Sequence, residues 1–384
     1  MSDGAPQYGL NQDQLDFLEM IRKMVQEKVT PRAAEIDEKA EYPQDIRKLF
    51  ADHDLFGLPF EERHGGLGTG DLMLVAAIEE IAKGCASSSL IVAAQDLSSL
   101  PLKLHGSEEL QDRILPKMAA GEMIGAFCLS EPDAGSDPGA MRTRAMKTDG
   151  GWILNGAKNW ITNAGVADMY VTFAVSDPDV KYSRGITAFA VMADSDGFRI
   201  DALEHKMGMK GSPTGQPVYE DVFVPDENVI GEVGKGFICA MQTLDRSRLG
   251  IAAQAVGIAQ GATDFAADYA KERIAFGKPI NQLQGIQFKL ADMETKTAAA
   301  RELLYRAASM AETDDPKLGK YSAMAKLFAS DVAMDVTTEA VQVLGGYGYV
   351  KEYPVERMMR DAKLTQIYEG TNEIQRVVIA RSLA

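Results

Sequence analysis

The sequence GGWILNGAKNWITNAG (residues 150–165) decides the fold, because it places β structure in the middle of an otherwise helical chain. It contains two short runs rich in β-forming residues, with Asn155-Gly156 between them. An Asn-Gly pair flanked by such runs is typical of a two-residue β-hairpin. We therefore predict a hairpin whose turn lies at Asn155-Gly156.

Further strand patterns follow this stretch along the chain. Each is short, rich in β-branched or aromatic residues, and bounded by Gly, Pro, Asp or Ser. They are MYVTFAV (169–175), GITAFAV (185–191), GFRI (197–200) and PVYEDVFV (217–224). We predict an antiparallel middle β domain over residues 122–231.

Both flanks of the β region have helical periodicity. In the first, Leu15, Leu18, Ile21 and Val25 recur on one helical face, and we predict an all-α domain over residues 1–121. After the β region come three long, Ala-rich patterns, and the third stops at Gly345-Gly346, a helix-ending signal. With a short tail helix they predict a four-helix bundle over residues 232–384. The fold class is therefore α+β and multidomain.

Composition excludes several classes of function. The 384 residues carry a net charge of −16, which opposes binding to nucleic-acid phosphates. The three cysteines are far apart and the four histidines lack any metal-ligand spacing, so we expect a reducing compartment and no metal. No apolar run approaches the roughly 18 residues of a membrane span, and no basic-then-apolar segment begins the chain. We expect a soluble, cytoplasmic protein without a membrane or nucleic-acid partner.

Two glycine-rich stretches resemble phosphate-binding loops and fail as such. GGLGTG (65–70) has no register that gives the dinucleotide fingerprint. GEVGKGF (231–237) has Gly236 where a phosphate-binding loop needs Ser or Thr. We interpret both as turns.

Small polar residues gather in two stretches near the β domain. In FCLSEPDAGSD (127–137), backbone N–H groups and the hydroxyls of Ser130 and Ser136 could hold a polar ligand. In KNWITN (158–163), strand alternation would put Trp160 and Thr162 on one face. An aromatic ring beside a hydroxyl suits a flat heteroaromatic ligand, although Trp160 could equally be a core residue.

Two further stretches carry isolated charges. In KERIAFGKPI (271–280), Arg273 and Phe276 lie three residues apart near a helix end, where the arginine could simply complement the helix dipole. In QIYEGTNEIQR (366–376), Glu369 stands before a Gly-Thr turn and a short helix whose N-cap we expect to be Thr371. That glutamate could be a solvated loop charge, a helix-end charge or a catalytic base.

At these residues the chain resembles the acyl-CoA dehydrogenase family over almost its whole length, from about residue 10 to the end. The blocks that carry the resemblance occur in the family's order and near its spacing. They are CLSEPDAGSD, KNWITNAG, LDRSRLGIAAQAVGIAQ, ERIAFGKPI, LQGIQFKLADM, AVQVLGGYGY and RDAKLTQIYEGTNEIQR. The sequences of these blocks most resemble those of short-chain (butyryl-CoA) members.

The resemblance implies FAD bound between the β domain and the C-terminal bundle, with help from a second subunit. By position, Leu129 and Ser130 would meet the polar edge of the flavin, Trp160 would cover one face, and Thr162 would bond near N5. The contacts to the pyrophosphate and adenosine parts of FAD would come partly from another subunit. The residues implied for the remaining FAD contacts are Ser136, Arg273, Phe276, Gln342, Gly346, Thr371 and Glu373.

The resemblance also implies the chemistry: an acyl-CoA thioester loses a proton from Cα and a hydride from Cβ. Glu369 matches the family's base, and Arg248 an arginine beside it. A second base position used by some members is Ser247 here, which cannot act as a base. The backbone N–H of Glu369 would bind the thioester carbonyl. The substrate contacts implied are Ser136, Leu244, Asp245, Arg248, Tyr368 and Gly370.

The acyl group and the partners are less constrained by the resemblance. Residues 86–102, expected to line the acyl pocket, contain no Lys or Arg, which disfavours a dicarboxylate. They do contain Gln95, Asp96, Ser98 and Ser99, so a branched, cyclic or functionalised group stays open beside a short straight chain. We expect a homotetramer of fatty acid β-oxidation, with electron-transferring flavoprotein as acceptor. The alternatives are an enoyl-CoA reductase and a catalytically inactive flavin-binding relative.

Overall fold

The computed structural model describes residues 8–180 and 182–383. The first seven residues of the predicted N-terminal domain, Lys181 in the predicted β domain and Ala384 lie outside the described residues. Within them, helices come first, strands second and helices again last, which confirms the predicted fold class. The exact domain boundaries stay a prediction.

The N-terminal region consists of helices around a buried pair. Its α-helices are α1 (Gln12–Met24), α2 (Ala33–Lys39), α3 (Gln44–Asp52), α4 (Gly70–Gly84), α5 (Ala86–His105) and α6 (Glu108–Ala119). Asn11 and Gln14 form a capping box at the start of α1, and the predicted stripe buries Leu18, Ile21 and Val25. Helices α4 and α5 are buried along most of their length. The glycine-rich stretch 65–70 follows a 3₁₀ turn and no strand, as a plain loop does.

The middle region is one twisted sheet. Its strands are β1 (Gly125–Cys128), β2 (Arg144–Thr148), β3 (Gly151–Ala157), β4 (Ile161–Thr162), β5 (Met169–Val175), β6 (Ile186–Met192), β7 (Phe198–Leu203), β8 (Thr214–Pro225) and β9 (Val229–Ile230). The main path runs β4-β8-β3-β2-β5-β6-β9, with β7 beside β8 and β1 beside β5. Most pairings are antiparallel, as predicted, whereas β1 and β2 each pair with β5 in parallel.

The hairpin predicted at Asn155-Gly156 is wrong. The chain runs straight through both residues as part of β3, and Asn155 pairs with Arg144 of β2. The register against β8 shifts between Leu154 and Gly156, so the dipeptide forms a bulge. Gly156 has φ 146°, and a Cβ there would lie 2.6 Å from Thr143 Oγ1. The turn lies earlier, at residues 149–150, where an Asp-Gly pair joins β2 to β3.

The C-terminal region is helical and contains one helix more than predicted. Its described helices are α7 (Gly236–Glu272), α8 (Gln284–Ala311), α9 (Leu318–Leu344), α10 (Val355–Thr365) and α11 (Asn372–Arg381), and a two-stranded ribbon, β10 (Ile274–Ala275) with β11 (Lys278–Pro279), lies between α7 and α8. Helix α9 ends at Gly345, whose φ is 63°, as its sequence predicts. The extra helix, α10, lies in the segment that leads to the tail helix.

Polar side chains tie the three regions together. Gln95 of α5 accepts a hydrogen bond from the Gly125 N–H of β1 and donates to two carbonyl oxygens, those of Met118 and Met123. Asp361 of α10 is buried and accepts from the Met209 N–H in the loop before β8. Both bonds fix the sheet between the helical layers. Among the described residues, no helix is long and apolar enough to cross a membrane.

Candidate active site

The turn between α10 and α11 carries Glu369 in a left-handed backbone conformation. Its φ is 52° and that of Gly370 is 91°. Glycine adopts such values freely, whereas Glu369 adopts one that is uncommon for a residue with a side chain. Thr371 is the N-cap of α11, as predicted, and accepts a hydrogen bond from the Ile374 N–H. Gln375 Nε2 donates to the carbonyl oxygens of Glu369 and Gly370, at 3.2 and 2.8 Å. The base of the turn is therefore pinned from the helix that follows it.

Tyr368 anchors the other side of the same turn. Its hydroxyl donates a hydrogen bond to Gln254 Oε1, on the buried helix α7. The Gln254 amide in turn donates to Ala86 O and Ser89 Oγ at the start of α5. The predicted substrate contact of Tyr368 stays a prediction, while its hydroxyl is engaged in holding the Glu369 turn against α7.

The carboxyl group of Glu369 has one strong hydrogen-bond partner. Ser247 Oγ of α7 donates to Oε2 at 2.6 Å. The other oxygen, Oε1, accepts no protein hydrogen bond in the described part of the chain. Glu369 is half-buried, and removal of water from around it raises its pKa to about 7. The Ser247 bond and the positive charges of Arg248 and Lys326 act in the opposite direction, whereas Asp96 of α5 reinforces the rise.

Arg248 is close enough to this carboxyl group for its charge to lower the pKa of Glu369. It is buried, and its Nη1 donates to Asp245 Oδ1 at 2.6 Å, one turn earlier on α7. Burial raises the pKa of Asp245, and Arg248 limits the rise. The Arg248 Nε is buried without a partner in the described residues. Leu244, on the turn before, is buried as well, and the predicted substrate contacts of α7 stay a prediction.

Two residues of this site escaped the sequence analysis. Ser247 cannot itself act as a base, and it donates a hydrogen bond to the Glu369 carboxyl group. Lys326 of α9 is fully buried, and its Nζ donates to Gly370 O and Asn372 Oδ1, each at 2.9 Å. The available signal was the position of Lys326 in an apolar helical stretch, where a cation without a partner in sequence is unusual.

A second cluster lies at the edge of the sheet. Trp160 does not lie on β4; it precedes that strand with φ 61°, so the predicted alternation with Thr162 is wrong. The backbone N–H of Trp160 donates to Asn159 Oδ1, and the backbone N–H of Asn159 donates to the Ser130 carbonyl oxygen, both at 2.9 Å. The Trp160 side chain is 59% exposed, which excludes the core interpretation.

A buried ion pair holds the backbone of this second cluster in place. Lys158 Nζ donates to Glu131 Oε1 at 2.8 Å and to Leu129 O at 3.2 Å. Glu131 also accepts from the N–H groups of Arg142 and Thr143. The carboxylate and ammonium therefore fix the 128–131 loop to the chain that leads to Trp160.

The second cluster fits a flat ligand with a polar edge. In the described residues, the hydroxyls of Ser130 and Thr162 have no protein hydrogen-bond partner, and Trp160 offers an exposed ring beside them. Ser136 lies exposed in the same loop region. An isoalloxazine ring has such a shape and edge, so the residues present fit the FAD implied by the sequence.

A third set of predicted site residues has no hydrogen bond or ring contact with the first two clusters in the described part of the chain. Arg273 lies over the Tyr347 ring, with 5.3 Å between its Cζ and the ring centroid. Phe276 is 90% exposed in the β10–β11 turn, and Gln342 and Gly346 are exposed at the end of α9. Glu373 is not part of this set: it is exposed in the first turn of α11, which follows the turn that carries Glu369.

Family profiles match nearly the whole chain. The profile described as acyl-CoA dehydrogenase, N-terminal domain, matches residues 11–122. The middle-domain profile matches residues 126–222, and the C-terminal-domain profile matches residues 234–384.

Individual relatives agree with these profiles. A probable acyl-CoA dehydrogenase, FadE25, of Mycobacterium tuberculosis is 49% identical over 363 residues, covering 94% of this chain and 93% of the relative. The acyl-CoA dehydrogenase, short-chain specific, of Clostridium acetobutylicum is 45% identical, covering 97% and 98%. A cyclohex-1-ene-1-carbonyl-CoA dehydrogenase of Geobacter metallireducens is 46% identical, also covering 97% and 98%.

Solved structures have the same fold. Butyryl-CoA dehydrogenase from Megasphaera elsdenii is 45% identical with a TM-score of 0.95, and a chain described with the electron transferring flavoprotein of Acidaminococcus fermentans is 42% identical with a TM-score of 0.95. Both matches cover 97% of this chain and 98% of the other. The FAD complex of PigA is 29% identical with a TM-score of 0.92, again covering 97% and 98%. On profile, identity and fold together, the chain belongs to the acyl-CoA dehydrogenase family.

Proposed function

We propose that the protein catalyses the FAD-dependent α,β-dehydrogenation of an acyl-CoA thioester to the trans-2-enoyl-CoA. The observation that carries this proposal is the environment of Glu369: a half-buried carboxyl group with a pKa of about 7 and one oxygen free of protein partners. A carboxylate in an ordinary solvated loop would keep a pKa of about 4.3.

Glu369 is the group that removes the proton from Cα. A thioester Cα–H is a weak acid, so the base must have a proton affinity well above that of an ordinary carboxylate. Burial supplies this affinity, and Ser247 keeps the carboxylate oriented by binding Oε2. Oε1 is then the oxygen that receives the proton.

The backbone N–H of Glu369 is suited to bind the thioester oxygen. In the described residues this N–H donates no hydrogen bond, and the left-handed turn holds it rigidly. Negative charge grows on the thioester oxygen as the proton leaves, and a fixed N–H donor stabilises that charge without reorganisation. One residue then provides both the base and a carbonyl contact.

The sheet-edge cluster is the proposed binding surface for the cofactor. Ser130 and Thr162 would donate to the polar edge of the ring and Trp160 would cover one face. When bound, FAD supplies the acceptor for the hydride that leaves Cβ. The similarity to a chain that forms an FAD complex supports this assignment.

The proposed substrate is a short- or medium-chain acyl-CoA, with branched or cyclic acyl groups included. On α5, Gln95 is bound to backbone groups, and Ser98 and Ser99 donate to carbonyl oxygens of their own helix. Asp96 accepts from Lys103, so that lysine is not a free cation for a dicarboxylate. The butyryl-CoA and cyclohexene-carbonyl-CoA relatives support small linear or cyclic substrates.

Electron-transferring flavoprotein is the proposed acceptor. The similarity to a chain described with such a flavoprotein supports it. The homotetramer implied by the family is proposed as the working assembly.

The test is anaerobic loss of visible flavin absorbance with a panel of thioesters, from butyryl-CoA to octanoyl-CoA, with cyclic and dicarboxylic members. We expect the purified flavoprotein to be bleached by at least one small acyl-CoA. Glu369→Gln keeps the size of the side chain and removes the base, so we expect bound flavin with at least a roughly thousandfold slower reduction.

The matched control is Glu352→Gln, which makes the same chemical change at an exposed carboxylate and should reduce flavin at the native rate. Undiminished reduction in Glu369→Gln would contradict the assignment of the base. If no thioester bleaches the native enzyme while an enoyl-CoA reoxidises its chemically reduced form, the enoyl-CoA reductase alternative is the correct one.

A further inference from the structure

Lys326 is a fully buried cation whose contacts all lead to the Glu369 turn. Its Nζ donates to the Gly370 carbonyl oxygen and to Asn372 Oδ1, both at 2.9 Å. Gly370 follows the proposed base directly in the chain, and Asn372 opens α11. Lys326 therefore reaches from α9 to the chain that directly follows Glu369, between the turn and the start of α11.

Two further side chains of α9 fix the orientation of the Asn372 side chain, whose Oδ1 accepts from Lys326. The Asn372 amide nitrogen donates to Ser330 Oγ at 2.9 Å and to Asp331 Oδ1 at 2.8 Å. These bonds turn Oδ1 towards the ammonium group. The network is preorganised to receive a donor at the position of Nζ.

A buried ammonium group without a salt bridge needs an explanation. In the described residues, no carboxylate oxygen lies within 4.0 Å of the Lys326 Nζ. Desolvation of a cation without a counterion is unfavourable, and an apolar side chain such as Met would fill a similar volume without this cost. A purely structural role for position 326 would therefore favour an apolar residue.

The charges that surround Lys326 connect it to the base. Burial lowers its pKa to about 7, and the carboxylate of Glu369 is the first of the charges that act against this fall. Arg248 reinforces the fall, while Asp331 and Glu373 oppose it. The interaction works in both directions, because the Lys326 charge lowers the pKa of Glu369.

We infer that Lys326 is a positioning residue for the base, holding the Glu369–Gly370 turn through the Gly370 carbonyl and supplying positive charge that favours the ionised carboxylate. The inference rests on the proposed function of Glu369. Lys326 exchanges no proton with the substrate: the carboxylate receives the proton from Cα, and the ammonium group stays bound to Gly370 O and Asn372 Oδ1.

The test is Lys326→Gln in the flavin-containing enzyme. Glutamine keeps two N–H donors for the same two acceptors and removes the charge. We expect the acidic limb of the kcat/KM profile to move to higher pH, because the ionised form of Glu369 loses a stabilising charge. Each pH unit of displacement lowers kcat/KM about tenfold on that limb, while kcat/KM at alkaline pH changes little.

An infrared pH titration of the Glu369 carboxyl group, identified by its absence in Glu369→Gln, should move in the same direction. Lys320→Gln removes a lysine charge elsewhere on α9 and should leave both curves in place. Coincident curves for Lys326→Gln and the native enzyme would overturn the inference. Failure of the native enzyme to reduce flavin with any thioester would instead refute the proposed function.

A reciprocal measurement keeps the native lysine and needs no variant at position 326. Replacing Glu369 with Gln removes the charge that contributes most to raising the pKa of Lys326, so that pKa should fall further. Carbon-13 labelling of the lysine Cε follows that titration by NMR in both proteins. An unchanged Lys326 titration would overturn the inference even if Lys326→Gln does not fold.

Discussion

Glu369 ionises in surroundings that favour its protonated form, and this defines the pH dependence of the proposed reaction. The free enzyme must hold an ionised carboxylate to accept the Cα proton. Because burial raises the pKa of Glu369 to about 7, the active form should disappear as the pH falls below neutrality. Ser247 and the two nearby cations set how far the pKa rises.

Ser247→Ala should move the pH at which activity is lost to a higher value. The Ser247 hydrogen bond favours the ionised carboxylate and lowers its pKa, so its loss moves the acidic limb of kcat/KM to higher pH. A hydrogen bond to a charged group contributes about 1.5–3 kcal/mol, which predicts a loss of roughly tenfold or more near pH 6 and a smaller one near pH 9. Steady-state rates across that range check the prediction.

The matched control for Ser247→Ala is Thr263→Val. Thr263 is a buried hydroxyl residue on the same helix, and it donates only to the helix carbonyl of Ala259. Its loss perturbs α7 without touching Glu369. A parallel displacement of the profile in both variants would mean that helix packing, and not the Ser247 bond, controls the titration.

At the scale of single residues, the sequence indicates candidate site residues but not the side chains that hold them in place. Glu369 and Arg248 could be assigned by matching family blocks, because those blocks are local in sequence. The Ser247–Glu369 hydrogen bond spans 122 residues of chain, and the two Lys326 hydrogen bonds span 44 and 46 residues. Such contacts depend on how α7, α9 and the turn pack, which no local pattern contains.

At the scale of elements, the strand assignments were confirmed where hydrophobic runs had clear boundaries. Residues 169–175 form β5 as predicted. The hairpin was misplaced because the chain offers both Asp149-Gly150 and Asn155-Gly156 as turn signals. The choice between them depends on β8, which pairs with β3 on both sides of the bulge. Long-range pairing therefore decided which Gly became a turn.

The ion pair beneath the sheet-edge cluster gives a prediction about stability. Lys158→Met leaves Glu131 buried without its counterion, and removal of one partner of a buried pair costs about 3–5 kcal/mol. We expect a lower urea midpoint and weaker flavin retention, because Lys158 also holds the Leu129 carbonyl. Urea unfolding followed by circular dichroism, with flavin fluorescence in parallel, measures both.

An exposed ion pair provides the control for Lys158→Met. Lys296 pairs with Asp335 between α8 and α9, and both side chains are solvent-accessible. Lys296→Met should change the free energy of unfolding by no more than about 1 kcal/mol. Equal effects at positions 158 and 296 would show that the buried pair does not hold the loop.

At the scale of the whole molecule, no hydrogen bond or ring contact among the described residues joins all the predicted cofactor residues into one connected set. The Trp160 cluster and the Glu369 cluster lie in regions tied together by Gln95 and Asp361. The set that includes Arg273 and Phe276 presents exposed groups elsewhere. An apolar ring that is 90% exposed, next to an arginine without a carboxylate partner in the described residues, suits a surface that another copy covers.

Phe276→Asp should therefore weaken both self-association and flavin binding. A carboxylate placed in an apolar interface must be desolvated on association, and the same charge opposes a pyrophosphate held near Arg273. Light scattering coupled to size-exclusion chromatography reports the mass, and the ratio of flavin to protein absorbance reports occupancy. Met146→Asp makes an equal change at an exposed side chain of β2 and should affect neither. A fully flavinated Phe276→Asp protein of unchanged mass would show that each chain binds its cofactor without this surface.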